Sequence, residues 1–348
     1  MNVCIGILAH NEASVIANTI RHLAAQSLIA SPQPADYCVE VICVPNGCTD
    51  DTAEIARQEC ARAEAVPRNR SVSFSVEEVD EPGKCNAWNR FIHEFADPKT
   101  DYFILMDADT QCGQPDTLER LLLSLVADPF AYATVDTPLK DFSQKTQKTP
   151  LEWFSTQVSS AAFQGHLAGS LYCIRGEIAR RMWFPGNIPV EDGLLTKMLI
   201  TNFLTEEPNK ARIIHVPGTS HYFQAILSLR TIMRHEKRIV LGSFINECIL
   251  DHIAAHRTEA EDAAVYLKRQ MNENSHWLHE TLKVEFAKRR MELILNSLSL
   301  RHLRKLRGLP VSQKALRFLP LLAKTALGSI SSISAYMEIK YGNPYEYW

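Results

Sequence analysis

The first third of the chain alternates short apolar runs with amphipathic helical patterns. Short apolar or alternating segments are typical of strands, and segments with apolar positions three and four residues apart are typical of helices. The predicted strands are 3–8, 39–44, 71–79 and 102–106, and the predicted helices are 13–26, 51–65 and 84–95. Strands and helices therefore follow each other in strict alternation.

This alternation predicts an α/β fold with a doubly wound, mostly parallel sheet. Parallel neighbours need a crossover connection, usually a helix, and such helices cover both faces of the sheet. Ligands bind to these sheets at the carboxyl ends of the strands. We therefore expect the functional residues in the turns that follow the strands.

The chain beyond Pro115 has a less regular pattern. Strands are predicted at 131–136, 171–174 and 212–216, and helices at 151–163 and 193–203. From about Phe223 onward strand signals vanish and long helical patterns follow, which predicts a C-terminal helical appendage. The predicted division is an α/β domain over 1–222, with halves of about 1–114 and 115–222, and a helical region over 223–348.

Composition and charge narrow the functional classes. A hydrophobic content of 46%, a charged content of 22% and a formal net charge of -3 are ordinary for a globular protein and give no reason to expect nucleic acid as a partner. No stretch is apolar enough to cross a bilayer, and the first residues do not resemble a signal peptide, which suggests a cytoplasmic location. The 9 cysteines include no C-x-x-C pair and are predicted to be reduced thiols.

Two aspartates carry the clearest chemical signal. Asp107 and Asp109 directly follow the apolar run 102–106, where the predicted strand opens into a loop. Two carboxylates one residue apart at such a place can hold a divalent cation and present it to phosphate oxygens. Because a D-x-D triplet arises by chance about once in a chain of this length, its context decides its meaning.

Polar residues also follow the first and second predicted strands. Residues 9–12 and 45–50 fall on the same edge of the predicted sheet as the acidic triplet. One cluster of this kind is commonly just a helix cap. Three clusters at one edge favour a ligand-binding crevice, with capping as the alternative.

Six strings, in this order, resemble the inverting family 2 glycosyltransferases with the GT-A fold, which move a sugar from a nucleotide-sugar donor. The strings are VCIGILAHNEASVI, VEVICVPNGCTDDT, PGKCNAWNRF, YFILMDADT, AGSLYCIRGE and IPVEDGLLTKML. They span roughly the first two-thirds of the chain. The resemblance implies that 1–114 binds the donor and that 115–222 binds the acceptor.

The resemblance places the donor on the strand-end turns. The first turn supplies Ala9, His10 and Glu12, with its backbone and His10 bordering the nucleobase. Asn46 stands where the family has a base-reading aspartate, and since an amide also donates, the implied preference for a UDP-sugar is less strict. Lys84 matches a basic residue near the donor and suits a diphosphate, the alternative being a solvated lysine at a helix start.

The resemblance also implies a cofactor, Mn²⁺ or Mg²⁺. It assigns Asp107 to the ribose side of the donor and Asp109 to the metal. His221 could complete the metal site, although a histidine at such a place is more often a hydrogen-bonded loop residue. Arg234 and Arg238 are one helical turn apart and could face the donor phosphates together. The Q-x-x-R-W motif of processive relatives is absent, which favours transfer of a single sugar.

Glu191 and Asp192 match the acidic pair of the family, in which the aspartate is the usual general base. Inversion needs a carboxylate that takes the proton of an acceptor hydroxyl while the oxygen attacks the anomeric carbon. The alternative for both acids is capping of the helix that follows. Two other functions stay open: a sugar nucleotidyltransferase, although the first turn lacks its glycine-rich loop, and a non-catalytic nucleotide or sugar binding module. The acceptor, whether glycan, lipid-linked or small molecule, is not specified by any motif.

The C-terminal region has an uneven charge. Residues 288–317 hold nine lysines and arginines and one acid, and the mostly apolar segment 318–333 follows. Such a stretch can lie on an anionic membrane, which would place the protein at the inner face of the membrane. The alternative is a helical appendage that packs on the α/β domain and exposes a basic face.

Overall fold

The structure is a computed structural model that describes residues 1–31, 37–68, 71–153, 165–225, 228–274, 276–297 and 311–341. Eight strands of the described residues form one sheet. They are β1 (Asn2–Ala9), β2 (Cys38–Pro45), β3 (Val72–Val76), β4 (Tyr102–Asp107), β5 (Gln111–Cys112), β6 (Ala133–Lys140), β7 (Leu171–Arg175) and β8 (Ile213–Phe223).

Helices flank this sheet and continue beyond it. Those in the α/β region are α1 (Ile16–Ala24), α2 (Ser27–Ala30), α3 (Thr52–Glu64), α4 (Lys84–Arg90), α5 (Thr117–Ala127), α6 (Gly176–Ala179) and α7 (Glu191–Ile200). A π-helical turn, Phe91–Phe95, continues α4. The C-terminal helices are α8 (Leu229–His256), α9 (Ala263–Glu273), α10 (Trp277–Ser297) and α11 (Val311–Tyr341).

The strand order in the sheet is β3-β2-β1-β4-β7-β6-β8-β5. The pairs β1 with β2, β1 with β4, β2 with β3 and β6 with β8 are parallel, whereas β7 runs antiparallel between β4 and β6, and β5 pairs antiparallel with β8. The predicted fold class, a doubly wound and mostly parallel sheet followed by helices, is confirmed.

Both faces of the sheet are covered because alternate residues of the apolar strands point to opposite sides. In β1, Cys4 and Leu8 join the core on one face, and Val3, Ile5 and Ile7 join the core on the other. The first core continues into the C-terminal helices, so the helical region shares its hydrophobic core with the sheet. In the described parts of the chain no helix has both the length and the hydropathy needed to cross a bilayer.

Every predicted strand is present, but several elements differ from the prediction. Strand β8 continues seven residues past Val216 to Phe223, so His221 lies within the strand and not in a loop after it. Helix α5 and the short strand β5 were not predicted. The buried residues Leu118, Leu121, Leu122 and Leu125 of α5 fall at helical spacing, while Leu123 and Val126 are exposed on its other side. Most of the predicted helix 151–163 lies outside the described residues.

Candidate active site

The carboxyl ends of β1, β2 and β4 meet in register. Ala9 of β1 pairs with Pro45 of β2, and Leu8 of β1 pairs with Asp107 of β4. The backbone amide of Asn46 donates to the carbonyl of Ala9 over 2.9 Å. The structure therefore joins the three polar turns into one continuous edge.

Asn46 ties these turns together through its side chain, which is 2% exposed. Its Nδ2 donates to the carbonyl of Ala9 (2.8 Å), and its Oδ1 accepts from the amide of Gly83 (3.0 Å). Nδ1 of His10 donates to the carbonyl of Asn46 (2.7 Å). Each polar atom of the Asn46 side chain thus has one protein partner and can still make a second hydrogen bond, and base reading by Asn46 stays a prediction.

Gly83 brings the chain into the site just before α4 begins. Its φ is +141°, a backbone conformation that residues with a side chain rarely adopt. A Cβ atom at this position would also lie 1.9 Å from Oδ1 of Asn187. Only glycine fits here, and the turn that it makes carries Lys84 towards the strand ends.

Lys84 is a buried cation that connects two parts of the site. Its Nζ lies 2.6 Å from Oδ1 of Asp107 and 2.9 Å from Oε1 of Glu191, and it donates to the carbonyl of Gly169 over 3.1 Å. Burial alone would lower the pKa of Lys84, but the charges of Asp107 and Glu191 outweigh burial and raise it. With a side chain only 14% exposed, Lys84 is not the solvated lysine of the alternative prediction.

The start of α7 places two carboxylates beside this lysine. Val190 holds the N-cap position and makes no side-chain capping bond, while Oδ1 of Asp192 accepts from the amide of Gly193 (2.8 Å). Burial, followed by the charge of Glu191, raises the pKa of Asp192 to about 6. A carboxylate with this pKa is well matched to proton transfer near neutral pH.

Gly169 keeps the space beside the two acids open. A Cβ atom on this residue would lie 3.1 Å from Cβ of Asp192 and 3.3 Å from both Oδ2 of Asp192 and Oε1 of Glu191. Those distances are at or below close contact, so a larger residue would crowd the carboxylates. The absence of a side chain at Gly169 therefore leaves room for the carboxylates of Glu191 and Asp192.

Negative charge accumulates at the other side of the strand ends. The backbone of Glu12 donates to Oγ1 of Thr52 (2.7 Å), which fixes the turn after β1. Burial, followed by the charges of Asp109 and Asp107, raises the pKa of Glu12 to about 7. The acids of two separate turns therefore act on each other electrostatically.

These oxygen donors fit a hard divalent cation such as Mn²⁺ or Mg²⁺, which would relieve the repulsion among them. Within the described residues, however, no group of three or more His, Cys, Asp or Glu side chains is arranged to hold a metal. Asp109 and the oxygens of a bound diphosphate would have to supply the shell together. The role of Asp109 as metal ligand stays a prediction.

His221 is fully buried and has a partner on each ring nitrogen. Nδ1 lies 2.6 Å from Oδ1 of Asp136, and Nε2 lies 2.7 Å from Oγ of Ser170. The carbonyl of Ser170 in turn accepts from the amide of Asp107 (3.0 Å) and from Oγ1 of Thr110 (3.2 Å). His221 therefore supports the loop of the acidic triplet, and metal binding by Nε2 would require the contact with Ser170 to break.

The two arginines of α8 stand in different positions. The helix is anchored to the start of α7 by Asn246, whose Nδ2 donates to the carbonyl of Val190 (2.7 Å). Arg238 is close enough for its charge to lower the pKa of Asp192, and its buried Nε has no hydrogen-bond partner among the described residues. Arg234, one turn earlier, is exposed. The structure thus brings Arg238 close to Asp192, and a joint role of both arginines stays a prediction.

Three residues of this site were not singled out from the sequence. Gly169 and Ser170 lie in the string AGSLYCIRGE, which supported the resemblance without suggesting individual roles. Asp136 ended a predicted strand. The register of β6 with β8 shifts between Val135 and Thr137, and this irregularity places Asp136 against His221.

The fold and this edge define an α/β protein with a crevice of carboxylates and a buried lysine at the strand ends. The sequence model of "Glycosyl transferase family 2" matches residues 4–183. The match covers just over half of the chain, and the protein belongs to this glycosyltransferase family.

Several solved structures are similar to the chain. The mannosyltransferase PcManGT from Pyrobaculum calidifontis, in complex with GDP-Man and Mn²⁺, aligns with a TM-score of 0.54 and 17% identity over 97% of this chain and 87% of that chain. The S. aureus TarS 1-349 structure has a TM-score of 0.46 and 15% identity, with 99% and 92% covered. Glucosyl-3-phosphoglycerate synthase from Mycobacterium tuberculosis, with Mg²⁺ and UDP, has a TM-score of 0.44 and 16% identity, with 70% and 79% covered. No curated protein matches the sequence. The similarity to PcManGT supports the GT-A fold.

Proposed function

We propose that the protein is an inverting glycosyltransferase that moves one sugar from a nucleoside-diphosphate sugar to an acceptor hydroxyl, with Asp192 as the general base. Asp192 takes the proton of the hydroxyl, and the oxygen forms its bond to the anomeric carbon from the face opposite the diphosphate. The bond between the anomeric carbon and the diphosphate oxygen breaks on the other face, and the diphosphate leaves with that electron pair.

The observation that carries this proposal is the bridge made by Lys84. Its ammonium contacts Asp107 at the end of β4 and Glu191 at the start of α7, directly beside Asp192. The strand ends are where α/β sheets bind their ligands, so a donor there would be held next to a carboxylate whose pKa is raised to about 6. A non-catalytic binding module has no need for such a base.

A divalent cation belongs to the proposal as cofactor. Asp109 would hold it, with Asp107 and Glu12 as further acids of the same edge, and the cation would supply charge neutralisation for the leaving diphosphate. Lys84 lies buried beside Asp107 and would add a fixed positive charge. A UDP-sugar is the favoured donor, since the resemblance to the family implies uridine.

Asp192→Asn tests the general base. Asparagine keeps the size and the ability to accept from Gly193, but it cannot take a proton, so transfer should slow by about two to four orders of magnitude while donor binding persists. Asp116→Asn, at the start of α5 and outside the site, is the matched control. A folded Asp192→Asn variant that transfers sugar at the rate of the wild type would contradict the proposal and direct attention to Glu191.

A thermal-shift panel tests the donor. UDP, GDP, CDP and ADP are compared with and without Mn²⁺, because a ligand that binds only the folded state raises the melting temperature. The proposal expects the largest shift for UDP with Mn²⁺. Hydrolysis or transfer of the donor sugar then separates an enzyme from a non-catalytic module.

A further inference from the structure

Helix α11 buries small and polar side chains and exposes large apolar ones. The residues that it buries against the protein are mostly small or polar, as shown by Thr325, Ser331, Ser332 and Ala335. Its exposed side instead carries large apolar residues. They are Phe318 (49% exposed), Leu322 (40%), Ile330 (50%), Ile333 (53%) and Met337 (48%). A helix of a globular protein normally turns its apolar side to the core.

The exposed apolar residues form one continuous stripe. At 100° per residue, the five positions fall within about a third of the helix circumference, and they extend along about 28 Å of its length. The opposite side is fixed to the rest of the protein: Oγ of Ser331 donates to the carbonyl of Met233 in α8 (3.2 Å), and Tyr336 packs against Phe286 of α10. The stripe therefore cannot turn inward without loss of these contacts. Exposed apolar surface of this extent marks a docking face.

The charge of the sequence that directly precedes the stripe indicates what binds there. Residues 301–317 hold six lysines and arginines and no acid, although the whole chain has a formal net charge of -3. Within the described residues of this segment, Lys314 is exposed. Upstream, Lys288 and Arg289 are paired with acids of α10 and α8, so they do not add to this excess. In the sequence, the positive charge is therefore concentrated directly before the stripe.

We propose that the stripe of α11 docks on an anionic lipid membrane, with the helix lying in the plane of the interface. Apolar side chains enter the boundary of the acyl chains while lysines and arginines contact anionic headgroups. A second copy of the chain that packed its α11 against this one would bring a single acid in that helix, Glu338, against six lysines and arginines over 301–317. The proposal does not depend on the identity of the donor or of the acceptor.

Helix α8 links the docking face with the candidate active site. It packs against α11 and also carries Arg238, whose charge acts on Asp192.

Vesicle flotation with the full chain tests the proposal. The wild type should float with vesicles that contain phosphatidylglycerol, at low salt, and should remain at the bottom with pure phosphatidylcholine or at high salt. The double variant Ile330→Glu/Ile333→Glu should bind anionic vesicles about a hundredfold more weakly, because it loses the burial of two half-exposed isoleucines and adds two negative charges. Its melting temperature and its nucleotide-induced thermal shift should match the wild type.

The matched control is Leu123→Glu/Val126→Glu. These two aliphatic residues of α5 are also three positions apart and exposed by 50% and 42%, but they lie away from α11. The control should float like the wild type. Flotation of Ile330→Glu/Ile333→Glu equal to wild type overturns the proposal, and so does a wild type that stays with the soluble fraction. A wild-type dimer in light scattering that this variant converts to a monomer, without vesicle binding, would assign the stripe to a second copy instead.

Discussion

Replacing Lys84 by methionine tests the electrostatic centre of the site. Methionine keeps much of the length and apolar character of the lysine side chain but leaves Asp107 and Glu191 without the ammonium that they contact at 2.6 and 2.9 Å. We expect Lys84→Met to fold with reduced stability. The loss should depend on pH, since it arises from two carboxylates that no longer have a counter-charge.

The expected magnitude follows from distance and burial. At about 3 Å and an effective dielectric constant of about 20, two unit charges attract by about 5–6 kcal/mol before desolvation is counted. Desolvation cancels much of this attraction, and removal of one partner of a buried pair costs about 3–5 kcal/mol. Glu191 is 9% exposed and Asp107 is 31% exposed, so most of the loss arises at Glu191. We expect the free energy of unfolding to fall by about 3 kcal/mol at pH 8.

The sign of the pH dependence can be worked out. Burial raises the pKa of Asp107 and the Lys84 ammonium opposes this rise, so removal of Lys84 should lift the folded-state pKa of Asp107 further above the unfolded value of about 4. A carboxyl with a raised folded-state pKa contributes stability that is present below the unfolded pKa and is lost as the pH rises through the folded pKa. In the wild type the raised pKa of Lys84 acts only at alkaline pH. The difference between variant and wild type should therefore shrink from pH 8 towards pH 5.

Urea unfolding at pH 8 and pH 5 measures both quantities. Lys197→Met, which removes an exposed lysine from α7, is the control and should unfold like the wild type at both values. Equal urea midpoints for Lys84→Met and wild type at pH 8 would refute the reasoning. A destabilisation that is the same at both pH values would show that the loss comes from packing and not from unpaired carboxylates.

Three further predictions concern individual side chains. Asn46→Asp replaces the Nδ2 donor with an oxygen that faces the carbonyl of Ala9, so it should lower the free energy of unfolding by about 1–3 kcal/mol. Tighter UDP binding with unchanged stability would instead support base reading by this position. The transfer rate should fall as the pH drops below about 6, because protonated Asp192 cannot accept a proton, and a flat profile between pH 5 and 8 would remove it as the base. Asp109→Ala should abolish the Mn²⁺-dependent part of the UDP thermal shift, and unchanged turnover in the presence of chelator would exclude the metal role.

The sequence was sufficient to predict the place of the site because that place follows from local patterns. Apolar runs predicted β1, β2 and β4, and parallel strands of one sheet end at the same edge, so the polar turns at 9–12, 45–50 and 107–109 had to meet. The same logic does not apply to the acids of α7. Glu191 and Asp192 follow no strand, and only the resemblance to the family suggested that they join the site.

What the sequence could not show are contacts that depend on tertiary packing. No local pattern indicates that Oδ1 of Asn46 accepts from the amide of Gly83, and base reading by Asn46 stays a prediction. No local pattern indicates that the shifted register of β6 places Asp136 on one ring nitrogen of His221, or that Ser170 lies on the other, and metal binding by His221 stays a prediction. The stripe of α11 was hidden as well, since an apolar segment does not reveal which of its sides the fold will cover.

The charge distribution of the site explains why donor and cation should bind together. The strand ends and the start of α7 bring five carboxylates, Glu12, Asp107, Asp109, Glu191 and Asp192, near two cationic side chains, Lys84 and Arg238. A diphosphate that entered this crevice alone would add negative charge to a region where burial and the charges of neighbouring acids already raise the pKa values of Glu12, Asp107 and Asp192. A divalent cation between the acids and the diphosphate turns this repulsion into attraction. The diphosphate in turn supplies oxygen ligands for the coordination shell of the cation, which the described side chains do not complete alone. Since linkage is reciprocal, the nucleotide should strengthen binding of the cation by the same factor as the cation strengthens binding of the nucleotide.

Two pairs of titrations measure these factors: UDP with and without Mn²⁺, and Mn²⁺ with and without UDP. Independent binding of the two ligands would contradict this account of the site.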